Sequence, residues 1–567
     1  MVKYSIIGWC LLMNFFCSTF TFAQADPLYD VILTRVRKDL IVPAQSSELT
    51  KKLSDSMLDD GSWADIDYND RTMVKWVPSN HLKKIKLLII AYLEQDKTSA
   101  FSEKLHGNIV KGFSYWYKKD PKSDNWWHNE IDVPQLLGQC LILMGAADSK
   151  LPSGLESLLL DRMDRGNMIA RTGANKTDIA LHVFYRSLLS KNKDLLELSI
   201  TQLFLPVNQV HYSEGLQYDG SYLQHGPQLY IGGYGTVYVT GILKLATYVQ
   251  GTPYALSSEK LKLFSDFYKD TYLKTIRGSY SDFNIQGRGI SRKNILSREE
   301  EASKLNLFKK IDLENYNEWD AALKRIVEEE TASYRIMPHH KHFWNGDYTI
   351  HLRPEYSFNV RIVSNRTMRS EVGNKENLIG KHLSDGATNI QLKGPEYYNI
   401  MPVWEWDKIP GTTSHDYDED KPILKEWGEP GSNAFAGGVS DGTYGVTAYD
   451  MKYDSLVAKK SWFFFDKEVV CLGAGIKSVI DKSVVTTVNQ CWLNGEVTLF
   501  NDSKKVKAIS GALMKNGLIW HDNVGYYFPG NQNVVVSKEQ QEGSWYRINK
   551  SGSKEKESGA VFKLFLN

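Results

Sequence analysis

Val133-Pro-Gln-Leu-Leu-Gly-Gln-Cys-Leu-Ile-Leu-Met144 places Val133, Leu136, Leu137, Cys140, Leu141 and Met144 at steps of three and four residues. That spacing lines one face of an α-helix. Pro134 falls in the first turn, where a missing N–H costs nothing. Ala180, Val183, Phe184, Ser187 and Leu188 repeat the pattern. Such segments, joined by polar loops, run to about residue 335 with no clear internal repeat. After Pro338 the texture changes. Tyr444-Gly-Val-Thr-Ala-Tyr449, Ser461-Trp-Phe-Phe-Phe465 and Val484-Val-Thr-Thr-Val488 are short, β-branched and aromatic, with Gly, Asn and Asp turns between them. These read as antiparallel strands of a sandwich. Helices first and sheets second make an α+β, multidomain chain with two bodies. The final residues, Ala560–Asn567, also read as a strand; a strand needs a partner and a turn, so the natural chain is expected to run on.

At the other end, Lys3 precedes an apolar run from Ile6 to Phe22, and Ala23 stands before polar Gln24. A positive start, an apolar stretch and small residues before a polar one form a secretory signal peptide, placed at 1–23. A membrane anchor is the weaker alternative, because the run lies at the lower edge of a bilayer span. The mature protein is therefore expected in the periplasm or outside the cell, with no membrane partner. Three cysteines remain, Cys140, Cys471 and Cys491. An odd count does not suggest a stapled framework, although a Cys471–Cys491 bridge stays open. With 68 basic against 67 acidic residues the formal charge is +1, so any polyanion must be gripped by a local patch and no nucleic-acid partner is expected. Monomer is the default.

Five segments stand out as sources of chemistry. Asn125-Trp126-Trp127-His128-Asn129-Glu130 puts two indoles and several hydrogen-bonding groups just before a helix. Thr172-Gly-Ala-Asn175 is a polar helix start, and Gln224-His225 leads to the Gly-rich Gly232-Gly233-Tyr234-Gly235. Gly287-Arg288-Gly-Ile-Ser-Arg292 brings two guanidiniums together, and Ser370-Glu371-Val-Gly-Asn374-Lys-Glu-Asn377 is a polar run between strands. Each alone has a bland explanation in packing or surface pairing. Their joint occurrence at loop–helix junctions is what points to one cleft.

Taken together these motifs resemble polysaccharide lyase family 8, which includes the chondroitin AC, hyaluronate and xanthan lyases, and within it the chondroitin AC lyases most. The resemblance implies an incomplete α/α toroid over 24–336 and a large antiparallel β-sandwich over 337–567, and family members usually carry a further small β domain. It implies a secreted enzyme that cleaves chondroitin sulfate, with hyaluronan as a further candidate substrate, by β-elimination at uronic acid. It also implies site roles. Asn175 and His225 meet the uronate carboxylate, and Tyr234 is general base and possible acid. Arg288 lies near the bridging oxygen, and Glu371 orients His225. Asn125, Trp126, Trp127, Arg292, Asn374 and Trp427 bind the sugar chain. A phenol has an ordinary pKa near 10, so a tyrosine base needs about 4 kcal/mol of preference for phenolate at neutral pH. Nearby arginines and a helix N-terminus act in that direction; if they do not suffice, His225 is the base.

Trp404-Glu405-Trp406-Asp407 alternates, so on a strand its carboxylates would share a face, and Asp416-Tyr417-Asp418-Glu419-Asp420 follows. Oxygen ligands of this kind suit calcium. With the resemblance, the expectation is a structural calcium ion on Glu405, Asp407, Asp416 and the Tyr417 carbonyl, and no cofactor for catalysis. His339-His340-Lys-His342 is a weaker zinc candidate, and Gly438-Val-Ser440-Asp-Gly442 imitates an esterase elbow without its strand–turn–helix setting. The rivals to a lyase are a glycoside hydrolase, which needs two facing carboxyls, and a non-catalytic glycan-binding protein.

Overall fold

The helices expected from the apolar periodicity form the first half of the protein. Val133–Met144 buries Val133, Leu137, Cys140, Leu141 and Met144, and Gly173–Ser190 packs against it, against Lys193–Phe204 and against Tyr234–Val249. Polar residues set the ends. Ser99 accepts from the Ser102 N–H at 3.1 Å to cap Ala100–Lys119, and Asn192 caps Lys193–Phe204 through the Leu195 N–H. Each such cap satisfies a backbone donor that the helix cannot. The last helix of this half is Tyr316–Ile326, and the first strand of the second half is His339–Phe343. The structure, a computed structural model, describes residues 27–41, 47–96, 98–417, 419–501, 504–508, 511–514, 517–530 and 532–567. The expected signal peptide lies outside them. Among the described residues no helix is long and apolar enough to cross a membrane.

The second half is built from antiparallel sheets. One has the order His339–Phe343, Tyr348–Leu352, Ser357–Arg361, Ala387–Gln391. Another runs Ala436–Ser440, Gly445–Tyr453, Leu456–Phe464, Val469–Ser478. Burial along Leu456–Phe464 alternates residue by residue, because successive side chains of a strand point to opposite faces. A five-stranded sheet places Glu557–Leu566 between Val534–Gly543 and Val484–Trp492. The strand read at the end of the sequence is therefore flanked on both sides. Cys140, Cys471 and Cys491 are unbridged.

Two motifs acquire structural explanations here. His340 and His342 are buried in the sandwich, with Nδ1 atoms 2.8 Å from Ser440 Oγ and 2.9 Å from Thr349 Oγ1. Burial pushes the two rings down to about 3 and about 4, so both are neutral packing groups. Ser440 ends a strand and donates to the His340 carbonyl at 2.8 Å, so the elbow-like run is a sheet edge. The two halves meet through buried polar contacts. Asp219 Oδ2 accepts from the Asn345 N–H at 2.5 Å, and Tyr348 Oη donates to Asp282 Oδ2 at 2.5 Å.

Candidate active site

Glu371 lies at the centre of the polar cluster between the halves, with no exposure to solvent. His225 Nδ1 is 3.0 and 2.9 Å from its two carboxylate oxygens, Tyr230 Oη donates to it at 2.6 Å and Gln228 Nε2 at 3.2 Å. Arg288 Nη1 also donates to it. Burial pushes the Glu371 carboxyl up, but the His225 hydrogen bond and the Arg288 charge outweigh it and hold the group below the ordinary carboxyl range. A carboxylate so placed fixes the neutral imidazole as Nδ1–H and leaves Nε2 as the free acceptor.

Arg288 enters from the short 3-10 helix Gly287–Ser291 and is itself buried. Its Nη2 donates to Tyr234 Oη at 3.1 Å and its Nε to Glu376 Oε2 at 3.2 Å. Glu376 is gripped again by Arg292, through Nε at 2.7 Å and Nη2 at 2.8 Å. Tyr234 opens the helix Tyr234–Val249 directly after Gly233, and its ring meets His225 edge to face at 4.8 Å. Its phenol is under opposing influences. Burial raises it above its ordinary value, Arg288 lowers it less, and Glu371 raises it again. Arg288 and Arg292 favour the phenolate, and burial with the nearby Glu371 charge opposes it.

Other site residues separate by surroundings. Asn175, the third residue of Gly173–Ser190, is half-buried, and its side-chain amide takes no hydrogen bond from the described residues. Trp427, at φ 64 and 42 % exposed, packs edge-on to His225 at 5.4 Å, with the Arg288 guanidinium 5.5 Å from its ring. The indole rests on Gly373, where an added Cβ would lie 2.8 Å from it. Asn374 occupies the neighbouring turn at φ 53. Trp126 is stacked under Arg171 at 4.0 Å, and Trp127 is 36 % exposed after Asn125. Asn125 organises its own loop: Nδ2 donates to the Met73 carbonyl at 2.9 Å, and Oδ1 accepts the Trp127 N–H at 3.1 Å. Reasoning from the sequence missed Tyr230, Gln228 and Glu376. Only Glu376 left a trace there, as a second acid in the polar run after Glu371.

The calcium expectation is overturned. Among the described residues no group of three or more His, Cys, Asp or Glu side chains could hold a metal ion. Lys408 Nζ occupies the centre of the carboxylates instead, at 2.9 Å from Glu405, 3.3 Å from Asp407 and 2.6 Å from Asp416, and Lys563 also pairs with Glu405. Tyr417 donates its N–H to Asp407 Oδ2 at 2.8 Å. Residues 401–411 form turns, not the strand assumed for the alternation. Lys408→Ala would leave three partly buried carboxylates facing one another. It is expected to lower stability by about 2 kcal/mol, the value for a broken buried pair reduced for partial exposure, as read from urea unfolding.

Residues 33–328 match the polysaccharide lyase family 8 N-terminal alpha-helical domain, and 338–567 match the super-sandwich domain of that family. The chain belongs to polysaccharide lyase family 8. Chondroitinase-AC of Pedobacter heparinus is 55 % identical over 548 residues, covering 96 % of this chain and 78 % of the relative. A solved chondroitinase AC lyase structure superimposes with a TM-score of 0.93 at 54 % identity, covering 95 % of this chain and 80 % of that one. The Streptomyces coelicolor A3 chondroitin AC lyase shares the fold, with a TM-score of 0.80 at 22 % identity over 96 % of this chain and 80 % of its own. The order of helical and sandwich domains in the family is the order of the two halves here, an incomplete α/α toroid followed by an antiparallel β-sandwich.

Proposed function

We propose that this family 8 protein is a secreted glycosaminoglycan lyase that cleaves chondroitin sulfate by β-elimination, leaving a C4–C5 unsaturated uronate. The observation that carries this reading is the buried carboxylate of Glu371, shared by an imidazole and a guanidinium, with the Tyr234 phenol bound to that guanidinium. Elimination must neutralise the uronate carboxylate, remove the C5 proton and protonate the C4 oxygen. Asn175, with an unengaged amide, and His225, with Nε2 free, are suited to the first task. Tyr234 is suited to both proton transfers, since in glucuronate the C5 hydrogen and the C4 oxygen lie on one face of the ring. Arg288, joined to Tyr234 Oη, lies where charge develops on the bridging oxygen. A glycosidase fits poorly: Glu371 and Glu376 are both held as carboxylates by arginines, so neither supplies the protonated acid that hydrolysis needs.

A second assignment of the base has its own support. Because burial raises the Tyr234 phenol, the resting protein holds it protonated, poised to donate. In that reading His225 Nε2 removes the C5 proton and Tyr234 only protonates the leaving oxygen. Trp126, Trp127 and Trp427 supply stacking surfaces for the sugar rings, and Asn125, Arg292 and Asn374 flank them. A stacked aromatic contributes about 1.4 kcal/mol, so Trp427→Ala should raise KM for the polymer about tenfold. Initial rates across substrate concentration check this. The apolar run near the N-terminus and a polymeric substrate met outside cells support export to the periplasm or beyond, acting as a monomer. The deciding experiment follows ultraviolet absorbance while the protein digests chondroitin sulfate, then hyaluronan. Cleavage without new absorbance would mean hydrolysis and end the proposal.

A further inference from the structure

Glu214 belongs to none of the motifs above; it lies in the loop between the helix Lys193–Phe204 and the short strand Gly215–Leu216. Its carboxylate accepts three hydrogen bonds. Thr172 Oγ1 donates to Oε2 at 2.5 Å and Gln224 Nε2 to the same oxygen at 2.6 Å, while the His225 backbone N–H donates to Oε1 at 2.9 Å. Thr172 is the N-cap of Gly173–Ser190, yet its hydroxyl makes no cap bond to that helix; it turns outward to Glu214. Gln224 completes the link, because its Oε1 accepts the Ala174 N–H at 3.4 Å. Gly173 has φ 51, and a Cβ there would lie 2.5 Å from that oxygen.

Two effects make this carboxylate more than a surface acceptor. A negative charge beside the first turn of a helix meets the positive end of its dipole. His225 also stands at φ 56, a region that is strained for a non-glycine residue, and a charge-assisted bond to its N–H offsets that strain. One carboxylate thus ties the helix turn carrying Asn175 to the backbone carrying the His225 ring. We propose that Glu214 is a positioning residue that sets the spacing between Asn175 and His225, so that both reach the carboxylate of a uronate in the cleft. The inference rests on the reading of those two residues as the carboxylate's partners.

The test compares a uronate polymer with its methyl ester, which carries no charge to neutralise. A displaced group costs about 100-fold, so Glu214→Ala should lose about 100-fold in kcat/KM on the uronate and far less on the ester, with the loss mainly in kcat. Equal losses on both substrates, or none in folded protein, would overturn the proposal. Glu214→Gln alone should behave like Glu214→Ala, because its amide faces the Gln224 amide donor to donor. Combining Glu214→Gln with Gln224→Glu restores a donor–acceptor pair and should bring activity back to within about threefold of the parent. A folded double variant that stays as slow as the single one also overturns the proposal, and this pair carries the test if Glu214→Ala does not fold. Unaltered protein that yields no unsaturated product strikes at the lyase reading itself, a different outcome from normal elimination by a Glu214 variant.

Discussion

Tyr234→Phe is expected to abolish the rise in ultraviolet absorbance, with kcat lower by about 10³-fold or more, the size of effect that a positioned acid–base group supplies. Stability should change by only about 1 kcal/mol, since the lost oxygen has a single bond, from Arg288 Nη2, among the described residues. The variant also separates the two assignments of the base. A uronate carrying an activated leaving group at C4 does not need an acid. If Tyr234 only protonates that oxygen, Tyr234→Phe recovers much of its rate on such a substrate while His225→Ala does not. If Tyr234 also removes the C5 proton, the activated substrate brings no recovery. Wild-type rates in Tyr234→Phe on chondroitin sulfate would remove the phenol from the mechanism altogether.

The second large effect concerns acid. His81, His182, His340, His342, His351 and His521 are buried, and burial lowers all six, to about 3 for His182 and His340 and about 4 for the others. A group depressed in the folded state contributes stability above its unfolded value, near 6.5 for histidine. That contribution is lost as pH falls toward the folded values, because the unfolded chain binds the proton first. Four carboxyls oppose this: desolvation lifts Asp178 to about 7 and Asp282 to about 6, and also raises Asp347 and Asp407, so the folded state takes up those protons first. With His339 also lowered to about 4, seven histidines against four carboxyls leave about three extra protons on the unfolded chain near pH 5. At about 1.4 kcal/mol per proton and pH unit, stability should fall steeply between pH 6.5 and 5. Thermal unfolding at constant ionic strength should show a midpoint lower by at least about 5 °C at pH 5 than at pH 7. Equal midpoints would mean that these rings are not neutral in the core.

Local burial patterns were legible in the sequence. The period of Val133 to Met144 and the alternation in Leu456–Phe464 record burial on one face, which is a local property. The helix starts at Gly173 and Tyr234 were legible from the polar or glycine-rich residues before them. What could not be read was which distant groups meet. Nothing near Glu376 announces that two arginines more than eighty residues earlier enclose it. Trp427 reaches His225 only because the turn around Gly373 leaves room for an indole. The acidic run at Glu405 looks like an oxygen-ligand set in sequence, yet Lys408 stands among its carboxylates and neutralises them. The balance of charges around Tyr234 was equally illegible, because Arg288 and Arg292 lower its phenol while Glu371, far away in the sequence, raises it.

The placement of Glu557–Leu566 between two earlier strands has a consequence for biosynthesis. Val484–Trp492 leaves the ribosome about sixty residues before its main partner is translated. At about 5–20 residues per second, one edge of that strand stays open for several seconds in every new molecule. Open strand edges template pairing between chains. Slowing translation over residues 493–556, or withholding chaperones that shield such edges, should therefore lower the yield of native protein without altering the chemistry of the molecules that do fold.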